Sequence, residues 1–272
     1  MSVRGSDGNS GERELNKATV RVLHVLSSFV ANSEGYGVTE LANALGMTKN
    51  MTYRALSTLV EQGYLVRETE GLRYQLGYKV LELQNPLAIE SDFRALSGPY
   101  VASIHELTGE SVGLVVRAGD HCVLIDGIET RKHGVWRVRI GSIFPLHGPA
   151  SGRVILAADS DKAIEAYIAR NFPSAGRGNA RGPANELRAQ IRQVREDSYA
   201  LVKRSAPPQM VSVAFPVLDI DGRLHGSISV GGPRHRFEAE LDRQLPELRE
   251  IVGELNARTR LFPADLTGSE LH

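Results

Sequence analysis

The stretch GVTELANALGMTKNMTYRALSTLVEQGYL, residues 37–65, constrains the fold more than any other part of the chain. Thr39 reads as an N-cap, residues 40–45 as a short helix and Gly46 as its left-handed stop. Thr48 then caps a second helix over residues 49–62, closed by Gly63. Two helices joined by a tight turn around a glycine form a helix-turn-helix. On the second helix, periodicity turns Thr52, Ala55, Leu56 and Leu59 inward and leaves Lys49, Asn50, Met51, Tyr53, Arg54 and Ser57 outward.

The flanks extend this unit. A helix over residues 17–31 carries Val22, Val25, Leu26 and Phe29 at helical spacing, and Leu23 and Val30 form a second apolar stripe. That stripe suits either a wide core face or a partner subunit. After the helix pair, Tyr64-Leu65-Val66, a polar turn at 68–71 and Arg73-Tyr74-Gln75-Leu76 predict a hairpin, so the whole reads as a winged helix. Residues 1–14, polar and rich in Gly and Ser, read as a disordered tail.

Beyond residue 83 the pattern changes. Residues 86–96 predict a linker helix with Ile89, Phe93 and Leu96 on one face, and a separate helix follows Pro99 over 100–107. SVGLVVRAG and HCVLIDGIET predict a hairpin, VWRVRI a strand, and ASGRVILAAD and SDKAIEAYIARNF two helices. A Gly/Pro/Arg loop at 173–183 precedes a helix over 184–197 and three strands near 199–204, 210–218 and 223–231. The last helix places Phe237, Leu241, Leu245, Leu248, Ile251 and Leu255 at helical spacing, with a kink expected at Pro246. The organisation is a tail (1–14), a winged helix (15–83), a linker (84–98), a second domain (99–262) and a polar tail (263–272).

Composition narrows the chemistry. With 272 residues and 42% hydrophobic side chains, two packed cores are within reach. Basic and acidic residues balance at 32 each, so no global field points to nucleic acid or membrane. The single cysteine, Cys122, excludes an intrachain disulfide and a multi-thiolate zinc site. Without a long apolar run or a hydrophobic leader, the expectation is a soluble cytoplasmic protein. The histidines at 24, 105, 121, 133, 147, 225, 235 and 272 show no metal-ligand spacing, and no metal or cofactor is expected.

Placement matters more than net charge. Lys49, Asn50, Tyr53 and Arg54 on the outward half of the second helix suit base edges and phosphates, and Arg67 and Arg73 flank the wing. A winged helix used only for protein contacts is the plainer alternative. Gly109-Glu110-Ser111-Val112-Gly113 matches G-x-S-x-G, but here a helix leads into a strand, the reverse of a nucleophile elbow. GRGNARG lacks the Lys-Ser/Thr pair of a phosphate loop.

Over residues 17–83 and 99–255 the chain resembles an IclR-family bacterial transcription regulator. The resemblance is carried by residues 18–29, TELANALGMTKNMTYRALSTLVEQGYL, RYQLGYKVLEL, LTGESVGLVV, FPLHGPASGRVILA, AFPVLDIDGRLHGSISVGGP and the terminal helix. It implies an α+β chain: an N-terminal winged helix-turn-helix, a helical linker and a C-terminal GAF-like mixed α/β effector-binding domain. It implies a homodimer or tetramer on double-stranded operator DNA, governed by a small organic acid, often aromatic; repression is the expectation ranked above activation, a choice that the residues leave open. The family's recognition segment falls on Thr48, Lys49, Asn50, Met51, Tyr53 and Arg54, with Thr52 excluded because periodicity buries it. Its effector pocket falls on Trp136, Phe144, Ala150, Ser151, Val202, Met210, Ser212, Ser229 and Gly231. The residues add that Pro149-Ala150-Ser151-Gly152 begins a helix, whose free N–H groups favour a carboxylate. An enzyme or ligand-binding protein with a vestigial helix-turn-helix is the competing reading.

Overall fold

The computed structural model describes residues 15–32, 34–68, 72–83, 88–132, 137–173, 182–203, 209–219 and 221–259. Both tails, the wing tip, residues 174–181 of the Gly/Pro/Arg loop with all of GRGNARG but its last glycine, and Trp136 lie outside them. The chain divides into two compact units, Met1–Ala88 and Ile89–His272.

In the first unit, α1 (Lys17–Ser28) starts at Asn16, whose side chain accepts the Ala18 and Thr19 N–H groups. It tightens into a 3-10 turn over Phe29–Ala31. Helix α2 (Val38–Leu45) begins two residues earlier than the Thr39 reading, at Gly37. The reason is local: the Glu40 carboxylate accepts the Gly37 N–H, so the cap comes from within the first turn. Gly46, at φ 63°, ends α2, and α3 (Lys49–Glu61) follows. Val25, Phe29, Leu41, Ala55, Leu56, Leu59, Leu65 and Tyr74 form the core. The hairpin of β1 (Leu65–Arg67) and β2 (Tyr74–Leu76) is joined by a bridge from Tyr36 to Tyr74. A short helix, α4 (Lys79–Glu82), closes the unit. Leu23 and Val30 stay exposed, at 54% and 73%.

The second unit opens with a difference. The expected linker helix and its successor are one helix, α5 (Ala88–Thr108), running straight through Pro99. Proline removes one backbone hydrogen bond, but Phe93, Leu96, Tyr100, Val101 and Ile104 all pack on the same core, and that continuous apolar face holds the helix together. Phe93 is partly buried on this core within its own chain. Pro246 is likewise contained inside α9 (Arg234–Thr259).

A six-stranded sheet, ordered β5-β4-β3-β8-β7-β6, is antiparallel at every described pairing. Its strands are β3 (Ser111–Ala118), β4 (His121–Ile128), β5 (Ile143–Pro145), β6 (Ala200–Lys203), β7 (Met210–Leu218) and β8 (Leu224–Pro233). Helices α5 and α9 cover one face. Helices α6 (Ala150–Ala157), α7 (Asp161–Asn171) and α8 (Pro183–Asp197) cover the other. Central β8 is consequently buried from Gly226 to Pro233.

VWRVRI is not a strand where it is described. Arg137–Arg139 form an irregular segment that turns at Ile140 and Gly141, and Ile140 is 57% exposed rather than inward. β5 pairs with β4 at residues 121–123 alone, with Cys122 opposite Phe144, the turn at Gly141 and Ser142 bonds to Leu124, and the segment 137–139 makes no ladder pairing with the rest of that edge. It is tethered instead through the Val138 N–H, which donates to Glu129 Oε2 at 2.9 Å.

Candidate nucleic-acid interface and effector site

Helix α3 is presented rigidly. Thr48 Oγ1 accepts the Met51 N–H at 3.3 Å, and buried Thr52 donates from Oγ1 to the Thr48 carbonyl at 3.1 Å. Thr52, Ala55, Leu56 and Leu59 are all buried, as periodicity requires. Lys49, Asn50, Tyr53 and Arg54 face solvent, while Met51 and Ser57 are half-buried. Among the described residues the side chains of Lys49, Asn50 and Arg54 have no hydrogen-bond or ionic partner. Cations and amides held this way near a helix N-terminus are available to phosphates and base edges.

The two wing arginines differ. Arg67 is exposed, with its guanidinium carbon 5.9 Å from the Tyr74 ring centre. Arg73, expected to grip phosphate, is engaged inside the unit: Nε donates to the Glu34 carbonyl at 3.2 Å and an Nη to the Gly35 carbonyl at 2.6 Å. The same Nη lies 3.2 Å from Glu40 Oε2, the carboxylate that caps α2. Arg73 thus ties the wing to the turn before α2.

The second site emerges from strand register. Directly opposed residues of neighbouring strands share a face. One row across the sheet reads Gly127, Gly113, Ser229, Ala214, Ala200, and the next reads Ser111, Gly231, Ser212, Val202. Both rows lie on the face carrying α6, because Ala214, Ala200 and Val202 belong to that core. Small side chains make this part of the sheet a smooth, neutral floor. Above it the first turn of α6 has no side-chain cap, and Ser227 Oγ donates to the Ser151 carbonyl at 3.4 Å, fixing that turn over β8. Ser151 is 4% exposed, and its hydroxyl, like that of Ser212, has no partner among the described residues. A Cβ on Gly127 would come within 2.8 Å of Val138 Cγ1, so the irregular segment reaches this end of the floor.

Ala150, Ser151, Gly152, Ser229, Gly231, Ser212 and Val202 are therefore gathered together. Met210, opposite Pro233, ends the β7 side. Phe144 shares their face and packs against the same core, but on β5, the edge strand far from β7. Sequence reasoning missed Ser111, Gly113, Gly127 and Ser227 as floor residues. The signal was small residues at every second position, and Ser111 and Gly113 sat inside the G-x-S-x-G match. Ser111 itself is fully buried, with Oγ accepting the Thr130 N–H at 3.2 Å, and Gly109 at φ 64° ends a helix rather than beginning one.

Residues 18–69 match the IclR helix-turn-helix domain, and residues 88–257 match the C-terminal domain of the bacterial transcriptional regulator IclR. The chain belongs to the IclR family. Family membership makes it a DNA-binding transcriptional regulator. It is 27% identical to the HTH-type transcriptional regulator KipR of Bacillus subtilis, over 87% of this chain and 93% of that one. Identity to XynR of Escherichia coli is 26%, over 85% and 90% of the two chains. An IclR homolog from Microbacterium hydrocarbonoxydans, solved in complex with 4-hydroxybenzoate, shares the fold at a TM-score of 0.74 and 18% identity, covering 90% of this chain and all of that one. No helix among the described residues is long and apolar enough to cross a membrane.

Proposed function

We propose that this IclR-family regulator is a cytoplasmic repressor that leaves its operator, or changes its affinity for it, when a small aromatic acid binds the C-terminal unit. The observation that carries the DNA half is the exposed set Lys49, Asn50, Tyr53 and Arg54, without side-chain partners among the described residues, on a helix anchored by buried Thr52, Ala55, Leu56 and Leu59. Thr48, Met51 and Arg67 complete the surface. The ligand half rests on the small-residue floor of Ser229, Gly231, Ser212 and Val202 beneath the uncapped turn Ala150–Gly152. That turn supplies N–H groups and the Ser151 hydroxyl to a carboxylate, and the glycine-lined floor accepts a flat ring. The 4-hydroxybenzoate complex of the Microbacterium homolog supports an aromatic acid as the class to try first. Exposed Leu23 and Val30 support a homodimer or a dimer of dimers on a roughly palindromic operator.

Selection of genomic fragments on the intact protein, followed by binding in the presence of 4-hydroxybenzoate and related acids, tests both halves. Enrichment of one sequence class, lost in Lys49→Ala/Arg54→Ala, is the expected result. Equal retention of all fragments by both proteins rejects the DNA half; operator affinity indifferent to every acid rejects the ligand half.

A further inference from the structure

The segment leading into α6 is held by a side chain of α7. His147 directs two nitrogens at one atom: its backbone N–H donates to Tyr167 Oη at 3.2 Å, and its ring Nδ1 lies 2.8 Å from the same oxygen. Tyr167 is 1% exposed, so its hydroxyl proton has little access to water. Among the described residues Nδ1 is the acceptor within hydrogen-bond reach of the buried Tyr167 hydroxyl proton, and a donating Nδ1 would leave that proton without one. The ring is then neutral, with its proton on Nε2. An edge contact with Phe172, at 4.9 Å between centroids, and a bond from Arg153 Nε to the His147 carbonyl at 3.2 Å complete the hold.

We propose that His147 and Tyr167 form a proton-sensitive latch on the N-terminus of α6, so that acid loosens the effector site. An imidazolium must donate from Nδ1. Tyr167 Oη would then face two donors while its own buried proton lost its acceptor. The surrounding groups offer the added charge no relief. From α6 comes the Arg153 guanidinium, without a carboxylate in ion-pair range among the described residues, although Glu186 of α8 acts on it from farther off. From β4 comes His121; the nearby Asp120 is occupied by both arms of Arg170, at 2.9 and 2.8 Å. From α7 and its end come Tyr167 and Phe172, with Arg170 of the same helix held on Asp120. Burial first, then Arg153 and His121, hold the His147 ring below its ordinary value.

The latch reaches the site through packing. A Cβ on Gly152 would lie 2.5 Å from the Leu146 carbonyl oxygen, so backbone 146–147 and the first turn of α6 move together. The consequence for ligand binding rests on the effector-site reading above; the latch itself does not.

Hydrogen–deuterium exchange of the intact, ligand-free protein decides the latch. Peptides covering residues 144–157 are compared at about pH 7.5 and about pH 5, with intrinsic rates corrected, a range that brackets imidazole titration. Wild type is expected to lose protection several-fold in acid. His147→Gln, which accepts the Tyr167 proton but cannot be protonated, should stay protected at both values, and Tyr167→Phe should be poorly protected at both. Equal protection of wild type at the two values, or an acid loss in His147→Gln as large as in wild type, overturns the proposal. Affinity for 4-hydroxybenzoate, measured in parallel, should fall in acid for wild type and hold for His147→Gln. A pH-independent affinity overturns the coupling to the site. Failure to bind at either value counts against the effector reading alone, and the exchange data still decide the latch.

Discussion

Arg236, on the first turn of α9, grips Glu110 with both arms of its guanidinium, from Nε to Oε1 at 2.5 Å and from Nη2 to Oε2 at 2.8 Å. Glu110 is 2% exposed, and the Lys132 ammonium stands 3.8 Å from the same carboxylate. The pair joins the start of β3 to the start of α9. Arg236→Ala leaves a buried carboxylate with one distant cation, and breaking a buried pair costs about 3–5 kcal/mol, less whatever Lys132 recovers. Urea unfolding of the second unit should show a midpoint shift of that sign. A variant as stable as wild type contradicts the account.

Arg54 and Arg73 should separate cleanly. Arg54→Ala removes an exposed guanidinium without a partner among the described residues, and if it reads a base edge the operator affinity falls by about 1–3 kcal/mol. Arg73→Ala breaks the ties to Glu34, Gly35 and Glu40, so the expected effect is a lower melting temperature of the first unit with an unchanged salt slope of DNA binding. A slope flattened by Arg73→Ala would return this residue to the phosphate contacts.

Cys122 offers a chemical probe of the sheet. It is fully buried, and burial pushes its thiol up to about 11. The reactive thiolate is therefore scarce near neutrality in the folded protein. A thiol reagent at about pH 8, just under the free-cysteine value, should leave it untouched until denaturant is added. Fast labelling of the native protein would mean that the β4–β5 edge opens readily.

Filling the floor should uncouple the ligand from DNA. Ser212 is half-buried, and Ser212→Leu projects a branched side chain over Gly231, whose absent Cβ would already lie 3.1 Å from Ser212 Cβ. Loss of aromatic-acid binding, read from the emission of Trp136, the only tryptophan, is expected together with unaltered ligand-free operator affinity. Undiminished ligand binding would place the site elsewhere.

His147 contributes to stability with a definite sign. Its folded-state value is lowered, so the folded protein prefers the neutral ring. That stability is present above the ordinary imidazole value and is lost as pH falls through the lowered one. Thermal unfolding of wild type and His147→Gln should therefore diverge in mild acid and run parallel above neutrality.

The amino-acid sequence alone determined the helix-turn-helix, because everything it needs is local: a capping Thr48, a left-handed Gly46, and apolar residues recurring every three to four positions. It also determined the alternation of β7 and β8, which places Ser212, Ser229 and Gly231 on one face once the strands pair. What it left open was the choice among partners distant in the chain. Arg73 could have met phosphate or the Glu34–Gly35 carbonyls, and only folding brought those carbonyls within reach. VWRVRI has strand alternation, yet its described residues turn at Ile140 and Gly141 and are tied by the Val138 N–H to a Glu129 side chain rather than to a strand. Pro99 ought to break a helix, but a continuous apolar face on one core outweighs a single missing hydrogen bond. Phe144 and Ser212 carry equal weight as pocket residues in the sequence; folding puts them on the same face, but strand order sets them four strands apart. Local rules act over a few residues, where backbone geometry leaves few choices, while partner choice is a competition across the whole chain that only the packed structure resolves.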